Sequence, residues 1–344
     1  MKQLALDCIA CRPTPRVART EYSLEYHESL IAKAGSLGAL YDSWDIDFLW
    51  ITHDGFIDWK KAGRCTDLGH ASYASDSSDQ RAPAAACPFK TAEEVWAFDP
   101  VAEYGLCHEA DLVAGYERAH REQEASHPNQ LCTGGYYKTA ISGAIEAFGW
   151  DMLLEAAADE RRFAKVLERF GAYSLHHANA WAQTGIEAYI QHDDIMWTSG
   201  PFLRPDFYRG AVIPIYKELW KPLKAAGKKI LFCSDGKVDD FLPDIAECGA
   251  DGFIFEPCND FDRLASLFAG GKALVGSKVD CRTLSFGTWD EVRAEIDATF
   301  AAQAGRAGLM FAVGNHIPAN VGDVMCGKYA EYLKTFAAPT ISGF

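Results

Sequence analysis

The feature that most constrains this chain is a recurring unit. A short apolar run ends on polar or charged residues and is followed by an amphipathic segment. The runs are clearest after residue 180. Ile186–Gln191 ends at His192-Asp193-Asp194, Lys229–Cys233 at Ser234-Asp235-Gly236, and Gly252–Phe255 at Glu256-Pro257. Ala273–Ser277 ends at Lys278-Val279-Asp280, and Leu309–Val313 at Gly314-Asn315-His316. Each run is nearly continuous in apolar or small residues, the pattern of strands buried on both faces of a parallel sheet. In the first half, Val17–Thr20 leads to Glu21 and Phe48–Thr52 to His53-Asp54, with Leu131–Gly134 a weaker strand.

The intervening segments carry helix signals. Pro205–Ala226 opens on Pro and stops at Gly227, while Pro214 and Pro222 inside it predict a kink or break. Thr91-Ala92-Glu93-Glu94 and Thr288-Trp289-Asp290-Glu291 read as capping boxes. Asp151–Phe170 is helical, with a break expected near Ala158-Asp159. About eight β-then-α units indicate a (β/α)8 TIM barrel, α/β in class, as one domain over residues 1–344 with an N-terminal helical and loop extension. A doubly wound sheet is the alternative, but no strand is followed by the Gly-rich phosphate fingerprint of dinucleotide folds.

Composition narrows the function classes. With 33 Lys+Arg against 48 Asp+Glu the net charge is −15, which disfavours nucleic acid and anionic membrane surfaces as partners. No apolar run approaches the ~20 residues of a membrane span. The first twelve residues include Asp7 and no long apolar run, so they are not expected to act as a leader. Eleven cysteines, spread along a chain long enough to need no staples, point to reduced thiols and a cytoplasmic location.

In a barrel the strand C-termini share one face. That face is expected to gather Glu21, His53, Asp54, His192, Asp193, Asp194, Cys233, Asp235, Glu256, Asp280, Asn315 and His316. Any one of these also serves as a helix cap or loop anchor, since βα loops need such groups. Cys233 and Asp235, two apart at a strand end, can reach one metal, with His316 as a third ligand. The other reading makes Cys233 a small buried hydrophobe and Asp235 a cap. Gly63–Pro88 is long and polar and is expected to border the mouth, with His70 and Tyr73 on the pocket wall. Cys8-x-x-Cys11 has metal or redox spacing without a second pair, and His176-His177 diverge by 100° on a helix.

The strand-end motifs, in their order and spacing, resemble the uroporphyrinogen decarboxylase superfamily. The likeness is best from Gly185 to Tyr332. It rests on Gly185–Asp194, Ser199–Tyr208, Pro214–Lys217, Lys229–Leu242, Gly249–Glu256, Gly276–Asp280, Gly287–Val292 and Gly314–Pro318, with Arg12–Arg19 as the entry to the first strand. The resemblance implies a (β/α)8 barrel and either cofactor-free decarboxylation of a porphyrinogen or methyl transfer involving a corrinoid protein, often with zinc. The Arg-Gln-Ala-Gly-Arg carboxylate clamp of the decarboxylases is absent from Arg16–Ser23. The His-x-Cys of the zinc-dependent coenzyme M methyltransferases is replaced by Cys233-x-Asp235, with Asn315-His316 near the last strand.

What remains is the corrinoid-dependent methyltransferase branch, including O-demethylase components. It implies a small, methoxylated aromatic substrate and a corrinoid on a separate protein, as the chain lacks an Asp-x-His-x-x-Gly loop of its own. In this reading Asp194, Asp235, Glu256 and Asp280 are catalytic, and Glu21, His53, His70, Tyr73, His192 and Asn315 contact substrate. Zinc is expected on Cys233, Asp235 and His316. A cofactor-independent decarboxylase, using Arg16, Arg19 and Arg204, and an inactive corrinoid-binding partner are the alternatives.

Overall fold

The computed structural model describes residues 1–53, 55, 86–303 and 305–336. His70, Tyr73 and Asp54, and all but the end of the expected loop Gly63–Pro88, lie outside the described residues.

Among the described residues, nine short strands, all paired in parallel, build the centre. They are β1 (Ala18–Arg19), β2 (Phe48–Leu49), β3 (Leu131–Cys132), β4 (Gly134–Tyr136), β5 (Ala188–His192), β6 (Lys229–Cys233), β7 (Gly252–Ile254), β8 (Ala273–Val275) and β9 (Leu309–Phe311). Seven form one sheet in the order β1-β9-β8-β7-β6-β5-β4, and β2 pairs with β3. Further bonds complete the ring. The Asp47 N–H donates to Arg19 O at 2.9 Å. The Thr20 hydroxyl donates to Phe48 O at 2.7 Å. β3 continues through Thr133 into β4, so these two are one interrupted stave of eight. This is the expected α/β barrel.

Side chains alternate across each strand, and alternate residues fill the ring. Ala18, Phe48, Leu131, Ala188, Ile190, Leu231, Cys233, Ile254, Val275 and Met310 form one buried cluster. The N-terminal helix Lys2–Ile9 adds Ala5, Cys8 and Ile9 to it and plugs the N-terminal end of the barrel. Residues of the opposite parity face the surrounding helices in a second, larger core.

The local signals act mostly as expected. Both capping boxes form. The helix Ile141–Ala157 is separated from Glu160–Ala182 at Ala158-Asp159, where Asp159 accepts from the Arg162 N–H at 3.1 Å. Pro205–Ala226 is divided into Pro205–Phe207, a π-type turn over Tyr208–Val212, and the helix Ile213–Ala225. The irregularity falls just before Pro214, which has no N–H to continue the ladder, whereas Pro222 is accommodated inside the helix. The Leu131 strand runs further than expected, to Tyr136, and β8 and β9 stop short of Ser277 and Val313.

Glu21 joins the first strand to the last helix, Asp323–Leu333. Its carboxyl accepts from the Tyr329 hydroxyl at 2.5 Å and the Val313 N–H at 3.1 Å. Burial pushes its pKa up to about 8, against the pull of those two donors. A carboxyl raised in the folded state contributes stability that is full below its ordinary value and lost as pH rises through the raised one. Unfolding free energy, measured by urea titration, is therefore expected to fall between about pH 4.5 and about pH 8. Glu21→Gln should flatten that dependence; an unchanged slope in the variant would disprove the assignment.

Candidate active site

The inward column of each strand decides what reaches the barrel mouth. Two residues beyond inward Ile190 stands His192, and two beyond that Asp194. Cys233 is likewise followed by Asp235, Ile254 by Glu256, and Phe48 by Trp50. These residues form one connected site. His192 Nε2 lies 3.1 Å from Asp194 Oδ1, which also accepts the Asp235 backbone N–H at 2.9 Å. The Tyr137 hydroxyl donates to Asp194 Oδ2 at 3.2 Å, and its ring lies 4.2 Å from the His192 ring. Asn315 Nδ2 donates to both Asp235 Oδ2 (3.3 Å) and Glu256 Oε1 (3.2 Å). The Gly236 N–H donates to Glu256 Oε2 at 2.7 Å. Trp50, Cys233, Asp235, Glu256, Val313 and Asn315 line a narrow cavity here.

The three carboxyls differ in environment. Burial works to raise Asp194, but the adjacent His192, the Asp235 N–H and the Tyr137 hydroxyl outweigh it and hold Asp194 below its usual value. Asp235 is half-buried at the barrel mouth. Its burial and the charges of Glu256 and Asp194 raise it well above the carboxylate range, opposed only by Asn315. Glu256 is raised by burial and by Asp194 and Asp280, with the Gly236 N–H and Asn315 pulling it back. Unequal surroundings of this kind separate a proton-bearing acid from its anionic neighbours. These surroundings favour the charged form of Asp194 and disfavour ionisation of Asp235 and Glu256.

Several expected members of the site lie elsewhere, and strand parity is the reason. Glu21 has the parity of Arg19 and faces the last helix, so its carboxyl is engaged by Tyr329 and Val313 rather than by the mouth. His53 has the parity of Leu49 and packs edge-on against Tyr116 in the helix layer, with ring centroids 5.4 Å apart. Asp193 points outward as well. It takes the Ser142 N–H at 2.6 Å, longer bonds from Ala140 and Ile141, and the Tyr216 hydroxyl at 2.7 Å. It thereby caps the helix Ile141–Ala157 from a neighbouring strand. Asp280 caps the short helix Cys281–Phe286 through the Arg282 N–H at 2.7 Å, close enough to Glu256 to raise it.

The expected zinc ligands do not come together. Cys233 is 1 % exposed in the barrel interior, where burial pushes its thiol well up, and His316 Nδ1 bonds Asn315 Oδ1 at 2.7 Å. Among the described residues, the group with metal-ligand placement is His192, Asp194 and Asp235, whose ligand atoms lie within 4.8 Å of one another. One imidazole and two carboxylates suit a divalent cation, zinc included.

Sequence reasoning also missed residues. Tyr137 lies on the inward parity of β4, beyond the expected end of that strand. Ser142 Oγ accepts the Asp194 N–H at 2.6 Å. Lys138 and Glu146, 2 % and 0 % exposed, pair at 2.7 Å, and the Lys138 ammonium lies 3.9 Å from the Tyr137 ring centroid. Extending strand alternation past Gly134 is the signal that finds Tyr137.

A parallel eight-stave barrel with an acidic mouth at its strand C-termini places the chain among α/β-barrel proteins. More narrowly, it belongs to the uroporphyrinogen decarboxylase (URO-D) family, whose model matches residues 150–325. A methyltransferase from Methanosarcina mazei shares the fold, with a TM-score of 0.65 at 16 % identity over 97 % of this chain and 98 % of that one. Weaker likenesses include D-psicose 3-epimerase in the presence of D-fructose (TM-score 0.36, 10 % identity, 72 % of this chain and 93 % of that one). Another is a GH113 β-1,4-mannanase (TM-score 0.39, 11 % identity, 94 % and 98 %). No curated protein matches the chain. No helix among the described residues is long and apolar enough to cross a membrane.

Gly236 gives a test of how the mouth is held. Its φ is +82°, and a Cβ there would lie 2.6 Å from Met196 O. Gly236→Ala is expected to lower stability by about 1–3 kcal/mol in denaturant titration, because strain and clash act together. An unchanged midpoint would show that this turn is not fixed as described.

Proposed function

We propose that this chain is a methyltransferase that moves a methyl group from a small, methoxylated aromatic substrate to the cob(I)amide of a separate corrinoid protein. The observation that carries the reading is the joined group of Asp194, Asp235 and Glu256 at the barrel mouth, where burial and neighbouring charge favour a proton on Asp235. An ether oxygen leaves poorly unless it is protonated or bound to a cation. A corrinoid on its docked carrier would supply the nucleophile that accepts the methyl group. Asp235 gives its proton to the departing oxygen as the carbon–oxygen bond breaks, and is left as a carboxylate. Asn315 and Gly236 hold Glu256 beside it, and Asp194 fixes the Asp235 backbone and the His192 ring. Asp280 acts on this centre through its charge.

The alternative of porphyrinogen decarboxylation calls for cations to hold substrate carboxylates. Among the described residues, no Lys or Arg is bonded to Asp194, Asp235 or Glu256. Arg16 forms a forked pair with Asp47 at 2.6 and 2.7 Å. Arg19 is buried against Asp45 and Leu333 O, and Arg204 pairs with Glu160 at 2.9 Å. A divalent cation, where one is bound, would be held by His192, Asp194 and Asp235 and would polarise the same oxygen.

The test is transfer from methoxylated aromatics to a protein-bound cob(I)amide, followed by the corrinoid spectrum. Asp235→Asn should lower kcat by about 10²–10⁴-fold with KM little changed, because the proton is needed only in the transition state. Glu256→Gln should lower kcat less. The wild-type rate should fall as pH rises through the raised Asp235 value, since the acid must keep its proton. A chelator should be without effect; loss that zinc restores would move the role to the metal. If no methoxylated aromatic is demethylated, the reading is wrong.

A further inference from the structure

The Asn315 amide bonds both Asp235 and Glu256, and something must hold it that way round. Asn315 sits at φ +69°, a left-handed conformation uncommon outside glycine. Its Nδ2 serves both carboxyls, so its Oδ1 is turned away from them, toward His316 Nδ1 at 2.7 Å. Turned over, the amide would set Oδ1, an acceptor, against the Glu256 oxygen that now receives its N–H. It would also set its NH2 against the imidazole nitrogen.

We propose that His316 is a positioning residue: its Nδ1–H donates to Asn315 Oδ1 and so locks the amide with its NH2 across Asp235 and Glu256. An amide oxygen can only accept, so the contact requires the hydrogen on Nδ1. His316 is 3 % exposed, so water does not replace this donor cheaply. The Tyr26 ring lies edge-on to it, with ring centroids 6.4 Å apart. His316 is thus relieved of the metal-binding role expected for it and acts on the acid pair through Asn315. The inference deepens the proposed methyl transfer and rests on it for its kinetic consequence alone; the hydrogen-bond arrangement stands on its own geometry.

The experiment has a spectroscopic and a kinetic arm. In protein labelled with ¹⁵N-histidine, the His316 ring is expected to show a protonated Nδ1. A ring protonated only at Nε2 overturns the proposal, and this measurement needs no variant. In protein labelled with ¹⁵N-asparagine, the Asn315 NH2 protons should exchange slowly in the wild type, quickly in His316→Ala, and slowly again in His316→Asn. The asparagine amide can place a donor where Nδ1 was. Methyl transfer should follow: His316→Ala should lower kcat about tenfold, as loss of one buried hydrogen bond implies, with KM nearly constant. His316→Asn should recover most of that loss. Equal exchange and equal kcat in all three proteins would overturn the positioning role. A protected amide and a protonated Nδ1 in a protein that transfers no methyl group would leave the inference standing and sink the functional reading instead.

Discussion

Room inside the ring of parallel strands is the constraint on which the rest depends. The interior accepts one side chain from each inward position, and apolar residues from Ala18 to Met310 fill it. The column of each strand must then continue upward with the same parity. His192, Asp194, Asp235 and Glu256 are brought together because each stands two or four residues above a packed interior residue. A shift of one residue in any strand would exchange core and mouth at once. Packing of the barrel and assembly of the site are therefore one requirement.

The acidity of the mouth follows from the same enclosure. Three carboxyls close together in a poorly solvated cleft cannot all ionise cheaply. The structure resolves this by giving them unequal partners. Asp194 has an imidazole, a phenol and a backbone N–H. Glu256 has the Gly236 N–H and shares the Asn315 amide. Asp235 has only the longer bond from Asn315 and faces the other two charges. Backbone geometry supplies much of this inequality, since both Gly236 and Asn315 lie in the left-handed region. Glycine adopts this region freely, whereas at Asn315 the surrounding contacts must offset its cost.

The outer layer repeats the theme with structural aims. Asp193 caps a helix that begins 52 residues earlier, and Glu21 holds the helix Asp323–Leu333 to the first strand. These two are more deeply buried than Asp235 and Glu256 and no less acidic in sequence. What separates them is the direction in which their strands turn them.

The sequence by itself determined the alternation of strand and helix, the polar residue at each strand end, both capping boxes and the break at Ala158-Asp159. Those features rest on local physics: hydrophobic period, capping and the missing N–H of proline. It also placed Asp194, Asp235, Glu256 and Asn315 at one end of the barrel, because strand C-termini converge in this fold. Only the tertiary structure decided which side each residue faces. Glu21 and His53 look like mouth residues until the interior parity is known, and Tyr137 looks like loop until its strand is extended. The metal-ligand geometry was likewise out of reach. Spacing can place Cys233 and His316 near one end, but only packing shows that the thiol belongs to the core and that the imidazole is already bonded to Asn315.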